Sequence, residues 1–153
     1  MKNKKMVKNF SEIKYRAMSF LARREHSISD LSKKLTKLFP DDSKVIYDVV
    51  KELKQLDLQS DLRFSEMLAA TRIRKGYGPN KIFFELKNHK VTEDIIERVM
   101  MESGVDWFRL ARKVLAKKFS SSTHNNFSLE VKKRNFLQYR GFRSEHISAC
   151  LKQ

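Results

Sequence analysis

An all-α fold, built as an elongated array of three tandem three-helix repeats, is predicted by three features of this 153-residue chain. Only four Gly and two Pro are present, so few backbone positions interrupt helices. Apolar residues recur at three- and four-residue spacing, with no convincing alternation of the strand kind. The pattern also repeats: Leu35, Leu86 and Leu137 stand 51 residues apart, an interval typical of stacked helical modules. Ser27, Leu31 and Leu35 share their spacing with Gly78, Ile82 and Leu86. Ile96, Val99 and Met100 return as Ile147, Cys150 and Leu151, and with a one-residue slip they match Ile46, Val49 and Val50.

Capping chemistry places the elements in order. Residues 1–9 read as a basic tail, followed by repeats at 10–58, 59–104 and 105–153. In the first repeat Ser27 starts the second helix, with Asp30 three residues on, and Asp41 and Asp42 open the third after Pro40. Ser60 with Asp61 opens the middle repeat. There Gly76 stops a helix, Gly78 caps the next and Pro79 occupies its first turn, where a missing amide costs nothing. Thr92, followed by Glu93 and Asp94, opens the helix that Gly104 ends. Asp106 is the expected cap of the next, the polar insert SSSTHNN lengthens a connection, Gly141 ends the penultimate helix and Ser144 starts the last. A three-helix unit of about 45 residues buries little surface alone, so the modules are expected to support one another by stacking.

Lys and Arg outnumber Asp and Glu by 33 to 18, a net charge of +15 that favours polyanionic partners. The excess is uneven: Arg109 to Arg143 carries ten basic residues against the single acid Glu130, whereas Asp41 to Asp61 carries six acids. Cys150 is the only cysteine and lies on an apolar helical stripe, which suits a small core residue better than a nucleophile. No stretch approaches the roughly 20 apolar residues of a membrane span, and no signal peptide is apparent, so a cytoplasmic protein without membrane contact is expected.

Catalytic readings fare poorly. The stretch RKGYGPNKI, Arg74 to Ile82, lacks the spacing of a phosphate loop and follows no strand, and the third glycine of a dinucleotide fingerprint is absent. A helix junction explains it better. His26, His89, His124 and His146 have no metal-ligand spacing and are expected at the surface or at helix ends. Trp107, Phe108 and the set Phe83, Phe136 and Phe142 suit core packing better than base stacking. No catalytic residue, metal or cofactor is therefore expected. The remaining functional signal is basic: Arg23, Arg24, Arg72, Arg74, Lys75, Lys81, Lys117, Lys118, Lys132, Lys133, Arg134 and Arg140. These recur near helix ends, where long side chains reach phosphate oxygens or carboxylates.

Two segments, AMSFLARREHSISDLSKKL (Ala17 to Leu35) and LDLQSDLRFSEMLAATRIRKGYGPNKIFFEL (Leu56 to Leu86), closely resemble the RecX family of bacterial recombination regulators. FLQYRGFRSEHI (Phe136 to Ile147) is similar to the family's C-terminal signature. A monomer is expected, and the resemblance implies a non-enzymatic protein that binds the RecA recombinase filament and hinders its growth, ATP hydrolysis, strand exchange and co-protease activity. It implies a role in DNA repair, recombination and the SOS response, exercised by capping the filament or lying in its groove, with weak, sequence-tolerant binding to single- and double-stranded DNA. The rival reading is a helical DNA- or RNA-binding protein acting directly as a transcriptional or nucleoid regulator. One departure from the family pattern is visible: His89-Lys90 stands where a glycine is usual, so Asn88 or Lys90 is expected to make that turn.

Overall fold

The computed structural model describes residues 2–121 and 126–152. Among the described residues the fold is all-α, with nine helices and no strand: α1 (Lys2–Arg23), α2 (Ile28–Leu38), α3 (Ser43–Gln55), α4 (Asp61–Arg74), α5 (Pro79–Asn88), α6 (Glu93–Glu102), α7 (Trp107–Lys118), α8 (Phe127–Tyr139) and α9 (Ser144–Leu151). The segment expected as a basic tail enters α1 from Lys2 onward. It holds no Gly or Pro, and extending a helix already anchored at Ile13 and Ala17 is far easier than nucleating one. Among the described residues no helix is long and apolar enough to cross a membrane.

The chain divides into two compact units, Met1–Met67 with His89–Ile95, and Leu68–Asn88 with Ile96–Gln153. In the first, α1 packs on α2 and α3, and α2 on α3. Its core is made by Ile13 and Ala17 of α1, Leu31 and Leu35 of α2, and Ile46, Val49, Val50 and Leu53 of α3. These are the one-turn spacings that put side chains on one helical face. In the second unit α9 packs on α7 and α8 around Ala111, Leu137, Phe142 and Ile147, with Trp107, Val114, Phe136 and Cys150 against them. Leu35, Leu86 and Leu137 are each fully buried, so the 51-residue period marks the innermost residue of the second helix in each set of three.

Side-chain caps hold the helix starts. Ser27 Oγ accepts from the Asp30 amide at 3.1 Å, Ser60 Oγ from Arg63 at 3.2 Å and Asp106 Oδ1 from Arg109 at 3.0 Å, as the sequence predicts. Asp42 precedes α3 but makes no side-chain cap, because its carboxylate accepts instead from Asn9 Nδ2 at 3.1 Å. Asn126, within the polar insert, caps α8 by accepting from Leu129 at 2.8 Å.

The glycine-free turn before Val91 is made by Lys90, whose φ of 60° lies in the left-handed region. Asp57 takes the same conformation, φ 58°, after α3. The Arg63 guanidinium grips that turn, donating to Asp57 Oδ1 at 2.9 Å and to its carbonyl at 2.7 Å, while its Nε donates to Glu25 at 3.0 Å.

Candidate polyanion interface

The loop RKGYGPNKI sits between α4 and α5, and its glycines are demanded by close packing inside the second unit. Gly76 has φ +81°, and a Cβ there would come within 2.7 Å of a Val114 methyl. A Cβ on Gly78 would lie 2.5 Å from the carbonyl carbon and oxygen of Gly141 and from the Phe142 nitrogen. Gly141 is constrained in return: its φ is +89°, and a Cβ would stand 2.5 Å from the Lys81 nitrogen and Cβ. Two backbone turns therefore touch through paired glycines.

Hydrogen bonds explain why they do. The Gly78 amide donates to the Arg140 carbonyl at 2.7 Å and the Asn80 amide to the Gly141 carbonyl at 2.9 Å. Pro79 between them has no amide to offer. The exposed amides of a helix start ordinarily make an anion site. Here, carbonyls from the end of α8 already fill that role for α5, so the loop does not cradle a phosphate.

The docking instead assembles cations and aromatic rings. Lys81 Nζ stands 4.6 Å from the Tyr77 ring centre and 4.9 Å from that of Tyr139. The Arg140 guanidinium lies 4.7 Å from Tyr77 and 5.4 Å from Phe136, and Lys118 is 6.0 Å from Phe136. Arg140 Nη1 also donates to the Lys75 carbonyl at 2.7 Å, tying the two turns together. Ring faces attract cations without cancelling their charge, so the ladder orients Lys81 and Arg140 while leaving them positive. Beside it lies an open cleft of about 470 Å³ bordered by Lys75, Lys81, Tyr77 and Phe84.

The twelve basic residues singled out in the sequence are placed unequally. Lys75, Lys81, Lys118 and Arg140 come together at the ladder. Arg72 borders the cleft but is held by Glu85 through two bonds of 2.7 and 2.5 Å, and the Glu85 hydrogen bond raises its pKa above the usual arginine value. That partner offsets much of its charge. Arg74 is exposed and donates to Thr71 Oγ1 at 3.3 Å. On α8, Lys132, Lys133 and Arg134 each turn by about 100° from the last and so fan out over different faces. Lys133 borders a separate cleft with Arg112 and Cys150, and Arg134 lies 3.7 Å from Glu130. Lys117 and Lys132 are exposed.

Arg23 and Arg24 belong to the first unit, 51 residues before Arg74 and Lys75, so the repeat places a basic pair at the end of both α1 and α4. Both are exposed, and Arg24 shares a shallow cleft with Lys33, Lys34 and Lys37, in which Asp30 and His89 are also present. His89 Nδ1 is 2.7 Å from Asp30 Oδ2.

His26 and His146 stand at helix ends, one of the two expected placements, and are buried there. His26 Nδ1 lies 2.9 Å from the Arg24 carbonyl, which only accepts, and its Nε2 faces Lys34 Nζ at 3.0 Å. The proton therefore sits on Nδ1 of a neutral ring, and burial holds its pKa below the usual histidine value. His146 Nδ1 accepts from the Arg143 amide at 3.2 Å, one half of a capping box for α9, and its pKa too is lowered by burial. Burial likewise pushes the Cys150 thiol up, which disfavours the reactive thiolate. His124 lies outside the described residues. Among the described residues no three His, Cys, Asp or Glu side chains gather where they would hold a metal ion.

Tyr77 and Tyr139 were not legible as part of a site, although each stands within one helical turn of a basic residue. Phe142 is core, as expected. Phe136 serves two purposes, packing against Leu137 and the rest of the core while receiving Arg140 and Lys118 on its ring.

Comparison with known proteins agrees with this architecture. Residues 60–100 match the family model for the RecX second three-helix domain, and residues 105–151 that for the RecX third three-helix domain. A regulatory protein RecX from Acinetobacter baylyi is 37% identical over 143 residues, covering 92% of this chain and 88% of the relative. One from Ectopseudomonas mendocina is 32% identical over 147 residues, covering 96% and 97%. The crystal structure of RecX from Lactobacillus salivarius superposes with a TM-score of 0.83 at 19% identity, covering 95% of this chain and 96% of that one, a likeness of fold.

Proposed function

The chain belongs to the RecX family of regulatory proteins, modulators of RecA rather than enzymes, and from that premise we propose that it restrains the growth of the RecA filament on DNA. The observation that carries this reading is the similarity to regulatory RecX proteins along nearly the whole chain. The physical chemistry supports it. A chain of net charge +15 is drawn to a nucleoprotein filament, whose DNA carries a dense row of phosphates. Repeated basic helix ends engage several protomers, so that weak contacts add through high effective concentration.

Within the second unit, the contact is through Lys75, Lys81, Lys118 and Arg140, which the Gly78–Gly141 docking gathers. Binding at a growing end blocks every later addition there, whereas binding along the groove opposes the filament in proportion to its length. RecA's DNA-dependent ATP hydrolysis, followed at low salt while the chain is added, tests the proposal. Hydrolysis should fall, at a small fraction of RecA for end capping and near parity for groove binding. Unchanged hydrolysis at parity overturns it.

A further inference from the structure

We infer that the exposed rings of Tyr139 and Phe84, both beside Lys81, form a stacking face for the unpaired bases of a single-stranded polynucleotide. This deepens the proposed function and rests on its reading of the second unit's basic face as the one that meets DNA. Tyr139 is 76% exposed and Phe84 67%; other rings of this chain are as exposed, and these two are set apart by flanking Lys81. Neither ring is idle scaffolding for the core. Tyr139 holds Lys81 Nζ at 4.9 Å, and Phe84 lies one helical turn beyond Lys81 on α5 and borders the same cleft as Lys75 and Lys81.

The arrangement has the two components that sequence-tolerant single-strand binding requires. Ammonium groups track the phosphates, and flat apolar rings receive bases, every one of which has a π face. Lys81 is steadied between Tyr77 and Tyr139, so it is pre-oriented before a phosphate arrives. A duplex would meet the same cations, but its bases are stacked inside and leave Tyr139 and Phe84 without partners. An acidic protein segment would likewise use the cations, but its carboxylates are not aromatic and do not stack on the rings as bases do. The exposed aromatic faces therefore favour the single strand over both.

Fluorescence anisotropy of the full chain at low salt, with a labelled mixed-sequence oligonucleotide and with its duplex, tests the inference. Tyr139→Leu and Phe84→Leu keep an apolar side chain and remove only the ring; both positions are exposed, so melting should be unaltered. Each should weaken single-strand binding by about five- to tenfold; Phe84→Leu should leave duplex binding unchanged, and Tyr139→Leu, which also removes one ring that steadies Lys81, should weaken it by only about twofold. Lys81→Gln should weaken both, with the logarithmic salt slope flattened by about 0.7 on the single strand. If the leucine variants bind the single strand as the native chain does, while Lys81→Gln still weakens it, stacking is refuted and the basic face stands. If the native chain binds neither nucleic acid but is captured by polyglutamate, the face recognises acidic protein, and both the inference and its premise fall.

Discussion

Replacing Gly78 with Ala should unfold the second unit at a markedly lower temperature, although the substitution adds one methyl group and leaves a permitted backbone conformation. Gly78 is absent from the positive-φ positions of this chain, so Ala meets no conformational penalty of its own there. The cost arises from space. The new Cβ would stand 2.5 Å from the Gly141 carbonyl and the Phe142 nitrogen, where ordinary contact begins at 3.4 Å, so the turns must part by about 0.9 Å. The Gly78-to-Arg140 and Asn80-to-Gly141 bonds, now 2.7 and 2.9 Å, would then open to roughly 3.6 and 3.8 Å, beyond hydrogen-bonding range. Two lost backbone bonds are worth about 1 kcal/mol each, and leaving buried donors and acceptors unpaired raises the total to about 3 kcal/mol. For a chain of this size that is a fall in Tm of roughly 6 to 12 °C. Circular dichroism melting measures it. Gly104→Ala is the control: its φ is +63° with nothing within 4 Å of a Cβ, so only about 1 kcal/mol of backbone strain is expected. A Gly78→Ala melt within about 2 °C of the native one would refute the argument that backbone carbonyls close the start of α5.

Three other outcomes follow. Lys90→Gly relieves a left-handed residue and should raise Tm by about 2 to 4 °C in the same melting assay. Acidification should destabilise the fold through His26 and His146: burial lowers both pKa values, so the unfolded chain takes up protons first, and stability that is whole above about pH 6.5 declines as pH falls below it. Melts at descending pH should show this, and His146→Gln, which can keep the Arg143 capping bond without titrating, should lessen the slope. Charge reversal of Lys75 and Lys118 together, in a variant that melts normally, should weaken inhibition of RecA's ATP hydrolysis, whereas reversal of Lys132, Lys133 and Arg134, which fan out over other faces, should weaken it less; full inhibition by the first variant would remove the gathered cations from the contact surface.

Much of the fold was legible because it is written locally. Ser27, Ser60 and Asp106 announce helix starts by the chemistry of a single side chain, and Leu35, Leu86 and Leu137 mark buried positions through one period. The missing glycine at His89-Lys90 foretold a left-handed residue, which proved to be Lys90. What was not legible depends on residues far apart in the chain. Helical periodicity says that Tyr77 and Arg140 lie near helix ends, but not that the Gly78–Gly141 contact brings them within 4.7 Å. Nor does composition reveal that Arg72 already has Glu85 for a partner while Lys81 stands between the rings of Tyr77 and Tyr139. The site is set by the partners that hold each basic residue, a carboxylate for Arg72 and ring faces for Lys81 and Arg140.

The central claim is tested most directly by the length of RecA filaments assembled on single-stranded DNA, imaged by electron microscopy with and without this chain at a small fraction of the RecA concentration. Restraint of growth predicts filaments that shorten as the chain is added, in step with slower ATP hydrolysis. Filaments of unchanged length and unchanged hydrolysis, at that ratio and at parity, would contradict it.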